Sequence, residues 1–280
     1  MKKTNTLTLF IFFLLTLQFF FWNGIRSGFE SSAKVEWKGT RSIKPELEVV
    51  PAAPSKEMLK AFSFGDEQLT FRYNGYIMQF LGDTFGRVTP LKDYNFERLY
   101  RWWVLLDEVD SDSNLIAYIV AYYYGSTQDS AGDIPYVVDF LELHSDKHPS
   151  ENWWWYSQAI YYAKHKLNDT DRALRIAKKL AELPKDLDIP IWTRQLQAFI
   201  YEGRGEYKQA CDIAVNVIRD YGAGKLDQGE INFMFDFIKE RLRKLIEKES
   251  TIAKADISDA CRELMEVQKA NDLREKASRP

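Results

Sequence analysis

Histidines are the side chains best suited to binding a metal, and this chain has three of them. His144 and His148 are four residues apart near the end of a predicted helix, which places two imidazoles on one face where they could bind zinc. The third, His165, falls in a different predicted helix. Histidines at the end of a helix also complement its dipole, and we prefer that interpretation. We therefore expect no metal site and no cofactor.

Two segments partly match ligand-binding motifs. Residues 110–114 open with the spacing of a calcium loop, but Leu115 and Ala121 stand where Gly and Glu are needed. Residues 221–226 contain Gly-Ala-Gly-Lys, but Arg219 replaces the first Gly of a phosphate-binding loop and Leu226 replaces its Ser or Thr. The sequence also lacks a Ser-His-Asp grouping and a Gly-x-Ser-x-Gly elbow. It therefore predicts that the protein is not an enzyme.

The chain has two cysteines, Cys211 and Cys261, and each follows an alanine within an apolar stripe. At such positions we expect small, buried hydrophobic side chains. An exported compartment would also allow the two to form a disulfide. The sequence leaves open which of these holds.

Composition narrows the class of protein. The 280 residues carry a formal net charge of −3, which provides no strong basic field, so nucleic acid is not an expected partner. A charged fraction of 28% and a mean hydropathy of −0.38 exclude disorder throughout and a polytopic membrane protein. The aromatic share is high at 15%, and these residues are the first candidates for a binding surface.

The N-terminus resembles a membrane anchor. Lys2 and Lys3 precede an apolar run, Leu7–Trp22, and the 20 residues of Thr6–Ile25 would form a helix of about 30 Å. Lysines on this side predict that the N-terminus stays in the cytoplasm. A cleaved signal peptide is the alternative, but the best small-residue triplet, Ser31–Ala33, lies unusually far downstream. We expect a single-pass protein of the inner membrane with an extracytoplasmic domain, and cleavage is left open.

The rest of the chain divides into a tether and a helical domain. The anchor takes residues 1–25, and residues 26–61 show no persistent helical period and contain Pro45, Pro51 and Pro54. Proline removes backbone donors and fixes φ, so this segment is predicted to be a flexible tether. From residue 62 to residue 280 the pattern is helical, with no convincing strand alternation. The fold class is therefore all-α.

A repeated block organises the helical domain. Ala121, Ala159 and Ala198 each begin a block of Ala, two large apolar residues and Tyr, and the blocks start 38 and 39 residues apart. A small residue lets two helices approach closely, so these alanines are predicted to be buried. Asp133 and Asp169 stand where N-caps are expected. A second amphipathic helix is predicted after each block, over Ile134–Lys147, Asp171–Leu183 and Glu206–Tyr221. An earlier pair of helices is predicted before the first block, over Asp66–Leu81 and Tyr94–Val109.

These residues carry a family resemblance. Ala198-x-x-Tyr201 followed by Gly205-x-Tyr207-x-x-Ala210 resembles the tetratricopeptide repeat, and the segment from Asn168 to Leu174 is similar. The family's period is about 34 residues, so longer turns would explain the present spacing. The resemblance implies an α-solenoid of stacked helical hairpins. The anchor and tether together also resemble membrane-anchored bacterial tetratricopeptide proteins.

The C-terminal part is expected to end the array. Gly222, Gly224 and Gly229 predict a flexible break after Tyr221. Two further helices, over about 230–276, would then form a cap, because a solenoid needs a polar terminal element.

In tetratricopeptide domains, positions on the first helix of each repeat line a concave groove. The residues six and three positions before each repeated alanine and the residue directly after it share one helix face. The resemblance implies that they line this groove: Leu115, Tyr118, Tyr122, Trp153, Tyr156, Ile160, Trp192, Gln195 and Phe199. These residues could instead pack against neighbouring helices, and the three consecutive residues Trp153, Trp154 and Trp155 cannot all share one face.

The resulting expectation is a non-catalytic scaffold or adaptor that binds a protein or peptide partner in the cell envelope. The alternatives are a domain that binds cell-wall glycan, since Trp and Tyr faces stack on sugars, or one that positions a substrate for an envelope enzyme.

Overall fold

The computed structural model describes residues 49–84, 87–128, 131–225 and 228–242, together with Thr16, Gln18, Cys261 and Arg262. The predicted anchor, most of the tether and most of the predicted cap lie outside these residues. Among the described residues, no helix is both long enough and apolar enough to cross a membrane.

The chain divides into two compact units, residues 1–52 with 81–95 and residues 53–80 with 96–280. The first unit contains a short antiparallel hairpin of β1 (Asp83–Thr84) and β2 (Arg87–Val88), followed by a 3₁₀ turn at Leu91–Asp93. Apart from this hairpin and its turn, the described residues are organised by helices, which confirms the predicted all-α class. A strand of two residues is too short to produce the alternation by which strands are recognised in a sequence.

The second unit is helical, and its helices stack in chain order. Its described residues form ten α-helices: α1 (Lys56–Phe62), α2 (Glu67–Gln79), α3 (Phe96–Val109), α4 (Leu115–Tyr122), α5 (Ile134–Lys147), α6 (Trp153–His165), α7 (Thr170–Ala181), α8 (Trp192–Gly203), α9 (Tyr207–Lys225) and α10 (Gln228–Asp236). A 3₁₀ turn at Tyr124–Ser126 follows α4, and a π-helical segment, Phe237–Leu242, follows α10. From α5 to α9, each helix packs chiefly against the next one.

Several predicted helix limits are confirmed, and others are corrected. The predicted bounds of α5 match the structure, and Asp169 caps α7 by accepting a bond of 2.9 Å from the Arg172 backbone N–H. Asp133 stands at the start of α5 but its carboxylate accepts a bond of 2.7 Å from the Thr127 hydroxyl instead.

The predicted tether is too long, because α1 begins inside it at Lys56. The Ser55 hydroxyl caps this helix, accepting a bond of 3.2 Å from the Met58 backbone N–H. The predicted glycine break is also wrong, since α9 continues through Gly222 and Gly224 to Lys225. A glycine weakens a helix by about 1 kcal/mol but does not by itself end it.

The repeated alanines and tyrosines perform the same packing role in successive helix pairs. Ala121, Ala159 and Ala198 are all fully buried, as predicted. The block tyrosine Tyr124 donates its hydroxyl to the Met78 carbonyl of α2 at 2.5 Å. In the next block, Tyr162 donates to the Ala121 carbonyl of α4. Tyr124 and Tyr162 therefore each tie their block to the first helix of the preceding pair.

A ladder of ion pairs joins α5 to α7. Asp139, Glu142 and Asp146 follow i, i+3, i+7 spacing on α5, and each contacts the basic residue 33 positions later: Arg172, Arg175 and Lys179. Lys179 also contacts Glu142 at 2.9 Å. Because the partner number rises with the residue number, the two helices run parallel, as alternate helices do in a stack.

A disulfide bond links Cys211 of α9 to Cys261. Both residues are fully buried, and their Cα atoms are 5.9 Å apart. The expected burial of both residues is therefore confirmed, and of the two alternatives that the sequence left open the structure shows the disulfide. A cross-link closing a loop of this length stabilises the folded state by about 4 kcal/mol in the chain-entropy model.

Replacing Ala198 or Ala159 with Leu should lower the free energy of unfolding by about 1–3 kcal/mol, because neither site has room for a larger side chain. Urea unfolding followed by circular dichroism measures the change. Ala61→Leu, at an exposed position of α1, is the matched control and should change stability little. Equal stability of all three variants would contradict the packing role of the repeated alanines.

The ion-pair ladder should make the free energy of unfolding depend on pH. Burial raises the pKa of Glu142, but hydrogen bonds from Arg175 and Lys179 outweigh it and hold the pKa below its ordinary value of 4.5. This contribution is therefore present at neutral pH and is lost as pH falls below about 4.5. Glu142→Gln should be about 1–3 kcal/mol less stable at pH 7, with a weaker loss on acidification.

Thermal melts between pH 7 and pH 3 test this expectation. Glu97→Gln removes an exposed pair with Arg101 and is the control, since such pairs contribute little. The same acid-dependence in Glu142→Gln and wild type would show that this pair does not contribute.

Candidate functional site

An exposed group of aromatic rings extends over three successive first helices. This aromatic surface consists of Tyr118 and Tyr122 on α4, Trp153 and Trp154 on α6, and Trp192 on α8. Tyr118, Tyr122 and Trp154 are 60%, 46% and 40% exposed, and the other two are half-buried. Large apolar groups with this much contact with water are a feature of interaction sites when they are contiguous.

Direct contacts show that the surface is contiguous. The rings of Tyr118 and Tyr122 have centroids 4.7 Å apart, and the Trp154 indole N–H donates to the Tyr122 hydroxyl at 3.1 Å. The Trp192 ring lies 5.8 Å from Trp153 and 6.5 Å from Trp154, both edge to face. Each ring is therefore held by a neighbour on the same or the adjacent first helix.

The structure separates the nine predicted groove residues into three groups of three. Leu115, Tyr118 and Tyr122 are exposed, whereas Trp153, Trp192 and Phe199 are half-buried. The remaining three predicted positions are buried and cannot line an open surface: Tyr156 at 3%, Ile160 at 4% and Gln195 at 1% exposure.

Contacts with α5 explain why Tyr156 is buried. Its hydroxyl donates to Asp146 at 2.5 Å, and burial together with this hydrogen bond raises its pKa well above the ordinary value. This contact turns the face that was predicted to line the groove toward α5. Trp155 is also buried, which confirms that the three consecutive tryptophans do not share one face.

Sequence reasoning missed two exposed aromatic residues on α6, Trp154 and Tyr161, which are 40% and 52% exposed. They are seven residues apart, a spacing that keeps both on one helix face. That signal was available in the sequence. The groove positions were instead counted from the repeated alanine. That count assumes that every first helix has the same rotation about its axis, and it therefore leaves out Trp154 and Tyr161.

A network of polar side chains, which we call the Asn114 node, lies next to the aromatic surface. Its members Asp107 and His144 are buried, whereas Asn114 is exposed. The Asn114 side-chain oxygen accepts from the Trp155 indole N–H at 2.5 Å and lies 3.2 Å from Nε2 of His144. Nδ1 of His144 is 2.5 Å from a carboxylate oxygen of Asp107, and Lys147 pairs with the second oxygen at 2.7 Å. The node joins α3, α5 and α6 at the residue that precedes α4.

The Asn114 node also decides what His144 can do. Its ring is fully buried, and both nitrogens face oxygen atoms of other residues, so neither is open to a metal ion. His148, the second candidate ligand, lies 3.2 Å from Asp112. Nowhere in the described part of the chain do three or more metal-binding side chains form a cluster. The role of His144 is therefore to hold helices together.

The helices that carry the aromatic surface have little charge. α4 contains no charged residue, and the only basic residues of α6 are Lys164 and His165 in its last turn. Lys164 is held by the Phe199 carbonyl at 3.2 Å. The surface can therefore bury apolar groups and exchange hydrogen bonds through the Tyr118 and Tyr122 hydroxyls, without selecting for a charged partner.

The structure predicts that neighbouring tryptophans respond differently to truncation. Trp155→Ala should lower the free energy of unfolding by about 3–5 kcal/mol, because it removes a buried ring and leaves Asn114 without a donor. Trp154→Ala and Tyr122→Ala should change it by less than about 1 kcal/mol, since exposed side chains contribute little. Chemical unfolding measures all three. A loss in Trp154→Ala as large as that in Trp155→Ala would assign Trp154 to the core.

Comparisons of the chain with protein-family models, with curated proteins and with solved structures found no match.

Proposed function

We propose that this protein is a membrane-anchored, non-catalytic scaffold of tetratricopeptide type that binds a protein partner through the aromatic surface. The observation that carries the proposal is the contiguous set of exposed and half-buried rings on α4, α6 and α8. Interfaces are enriched in tyrosine and tryptophan, which bury a large area while losing little conformational freedom.

The stacking of α5 to α9 supports the solenoid part of the proposal. Buried alanines recur at equivalent places, and Tyr124 and Tyr162 make equivalent bonds to the preceding first helix. The ion-pair ladder between α5 and α7 has an offset of 33 residues, close to the 34-residue period of the family. A right-handed superhelix would place the first helices on its concave side.

The character of the aromatic surface supports a particular kind of partner. Because α4 and most of α6 are uncharged, the partner should present apolar side chains rather than an acidic or basic cluster. An amphipathic helix or an extended segment could meet this requirement by placing side chains among the rings. Tyr118, Tyr122 and Trp154 are then the anchor residues.

Two independent features support an extracytoplasmic location. The apolar run Leu7–Trp22 behind Lys2 and Lys3 would anchor the chain with its N-terminus in the cytoplasm. The disulfide between Cys211 and Cys261 is the kind of bond that persists in oxidising compartments and is rare in the cytosol.

Binding to cell-wall glycan is the second candidate. It is favoured by the hydroxyl groups of Tyr118, Tyr122 and Tyr161, which lie on exposed rings and could bond to sugar hydroxyls while the ring faces stack. The two candidates predict different ligands for the same rings, so one set of variants tests both.

The full-length tagged protein, purified in mild detergent, should retain a partner that Trp154→Ala and Tyr122→Ala lose. Removing an anchor ring should cost about 2 kcal/mol, or roughly 30-fold in affinity. Phe233→Ala removes a ring of α10 that is 48% exposed and is the matched control.

Recovery is compared by mass spectrometry, with cell-wall fragments as a parallel ligand. Equal recovery from all variants would contradict a role for the aromatic surface. Retention of glycan alone would support the second candidate.

The location is tested in intact spheroplasts. Added protease should degrade the helical domain and leave the N-terminus protected, and Cys211 and Cys261 should resist alkylation until a reductant is added. A protected domain with two reactive thiols would place the domain in the cytoplasm and exclude this part of the proposal.

A further inference from the structure

The first two helices expose a second apolar region, separate in sequence from the aromatic surface. Half of the fourteen exposed large apolar side chains of the described residues fall within residues 58–80. This N-terminal apolar face consists of Met58, Phe62, Phe64, Leu69, Tyr73, Tyr76 and Phe80. Phe64 and Tyr76 are the most exposed, at 69% and 63%.

The arrangement of α2 shows that this exposure is organised. Positions 69, 73, 76 and 80 follow i, i+4, i+7, i+11 spacing, which forms one narrow stripe along the helix. The rings of Tyr76 and Phe80 touch, with centroids 4.8 Å apart. The opposite side of α2 is buried through Phe71, Gly75 and Met78. α2 is therefore apolar on two opposite sides, and only one of them is used by the helical core.

A stack of helices normally ends in an element whose outer face is polar, because that face meets water. α1 and α2 are the first helices of this stack, and their outer side is apolar instead. Scattered apolar residues on a surface need no explanation, but a stripe of this length does.

Charge argues against an ionic attraction for this face. Residues 56–80 contain three basic and three acidic residues, so they carry no net charge. Lys60 is paired with Glu67, and Lys56 donates to the Glu108 carbonyl at 2.6 Å. What covers this face must therefore be attracted by apolar and aromatic groups.

The length of the segment between the predicted anchor and α1 limits how far the N-terminal apolar face can lie from the membrane. About 30 residues separate the end of the predicted anchor at residue 25 from the start of α1 at Lys56. A flexible chain of that length has an end-to-end distance of about 30 Å. If the proposed anchor is correct, α1 and α2 are the part of the helical domain closest in sequence to the membrane.

We propose that α1 and α2 lie on the interfacial region of the bilayer, with the N-terminal apolar face inserted among the lipid headgroups. Tyrosine and phenylalanine favour this region, and an apolar helix face binds there in proportion to the area that it buries. The inference rests on the proposed anchor and leaves the aromatic surface available for the partner. Because residues 56–80 have no net charge, binding should not require anionic lipid.

The experiment uses the full chain reconstituted into vesicles of uncharged phosphatidylcholine. The chain has no free cysteine, so a single introduced cysteine can be labelled selectively with an environment-sensitive fluorophore. Tyr76→Cys reports on the N-terminal apolar face. Tyr161→Cys, on an exposed residue of α6, is the matched control.

The label at position 76 should show blue-shifted emission, quenching by lipids that carry a nitroxide, and protection from aqueous iodide. The label at position 161 should show none of these. Adding anionic lipid or salt should leave the signal at position 76 unchanged.

Three results would overturn the inference. Iodide quenching at position 76 equal to that at position 161, in chains that float with the vesicles, would overturn the inference while the anchor stands. Chains that do not float with the vesicles would remove the anchor and this inference together. Protection from iodide at position 76 without quenching by the nitroxide lipids would show that protein, and not lipid, covers the face.

Discussion

The side-chain oxygen of Asn114 is the point on which the arrangement of the first helices depends. It accepts the Trp155 indole N–H and faces His144, which in turn contacts the buried carboxylate of Asp107. Asp107 and His144 are buried, and a buried polar group without a partner costs about 1–3 kcal/mol, so these two side chains require their partners to stay in place. Helices α3, α5 and α6 and the start of α4 are thereby fixed to one another by directional bonds, which apolar packing alone does not provide.

This constraint explains how exposed rings can form a defined surface. Trp155 is locked by the Asn114 node, and the next residue, Trp154, is consequently directed outward to meet Tyr122. Tyr162, two turns further along α6, donates to the Ala121 carbonyl and fixes α6 against α4 a second time. The exposed rings are attached to helices with little freedom to move, so a partner would lose little entropy in ordering them.

Different interactions hold the later helices. α5 and α7 are joined by the ion-pair ladder, in which charges are matched by position around the buried Glu142, and α9 is cross-linked through Cys211. The first half of the stack is thus organised by buried hydrogen bonds and the second half by paired charges and a covalent bond. The N-terminal apolar face lies at the end that has neither a ladder nor a cross-link among the described residues.

The sequence by itself determined the helical class, the buried alanines at 121, 159 and 198, the limits of α5 and the cap at Asp169, because these follow from local spacing and local backbone chemistry. Only the tertiary structure decided which side of each helix meets water. Periodicity shows that Trp153, Tyr156 and Ile160 share a face of α6, but it does not show what that face meets. The bond between Tyr156 and Asp146 turns the face toward α5. Tyr156 and Ile160 are buried as a result, and Trp154 is exposed. The Asn114 node and the disulfide have the same origin, since the residues that bond to each other in them are 30 or more residues apart and meet only when the helices stack.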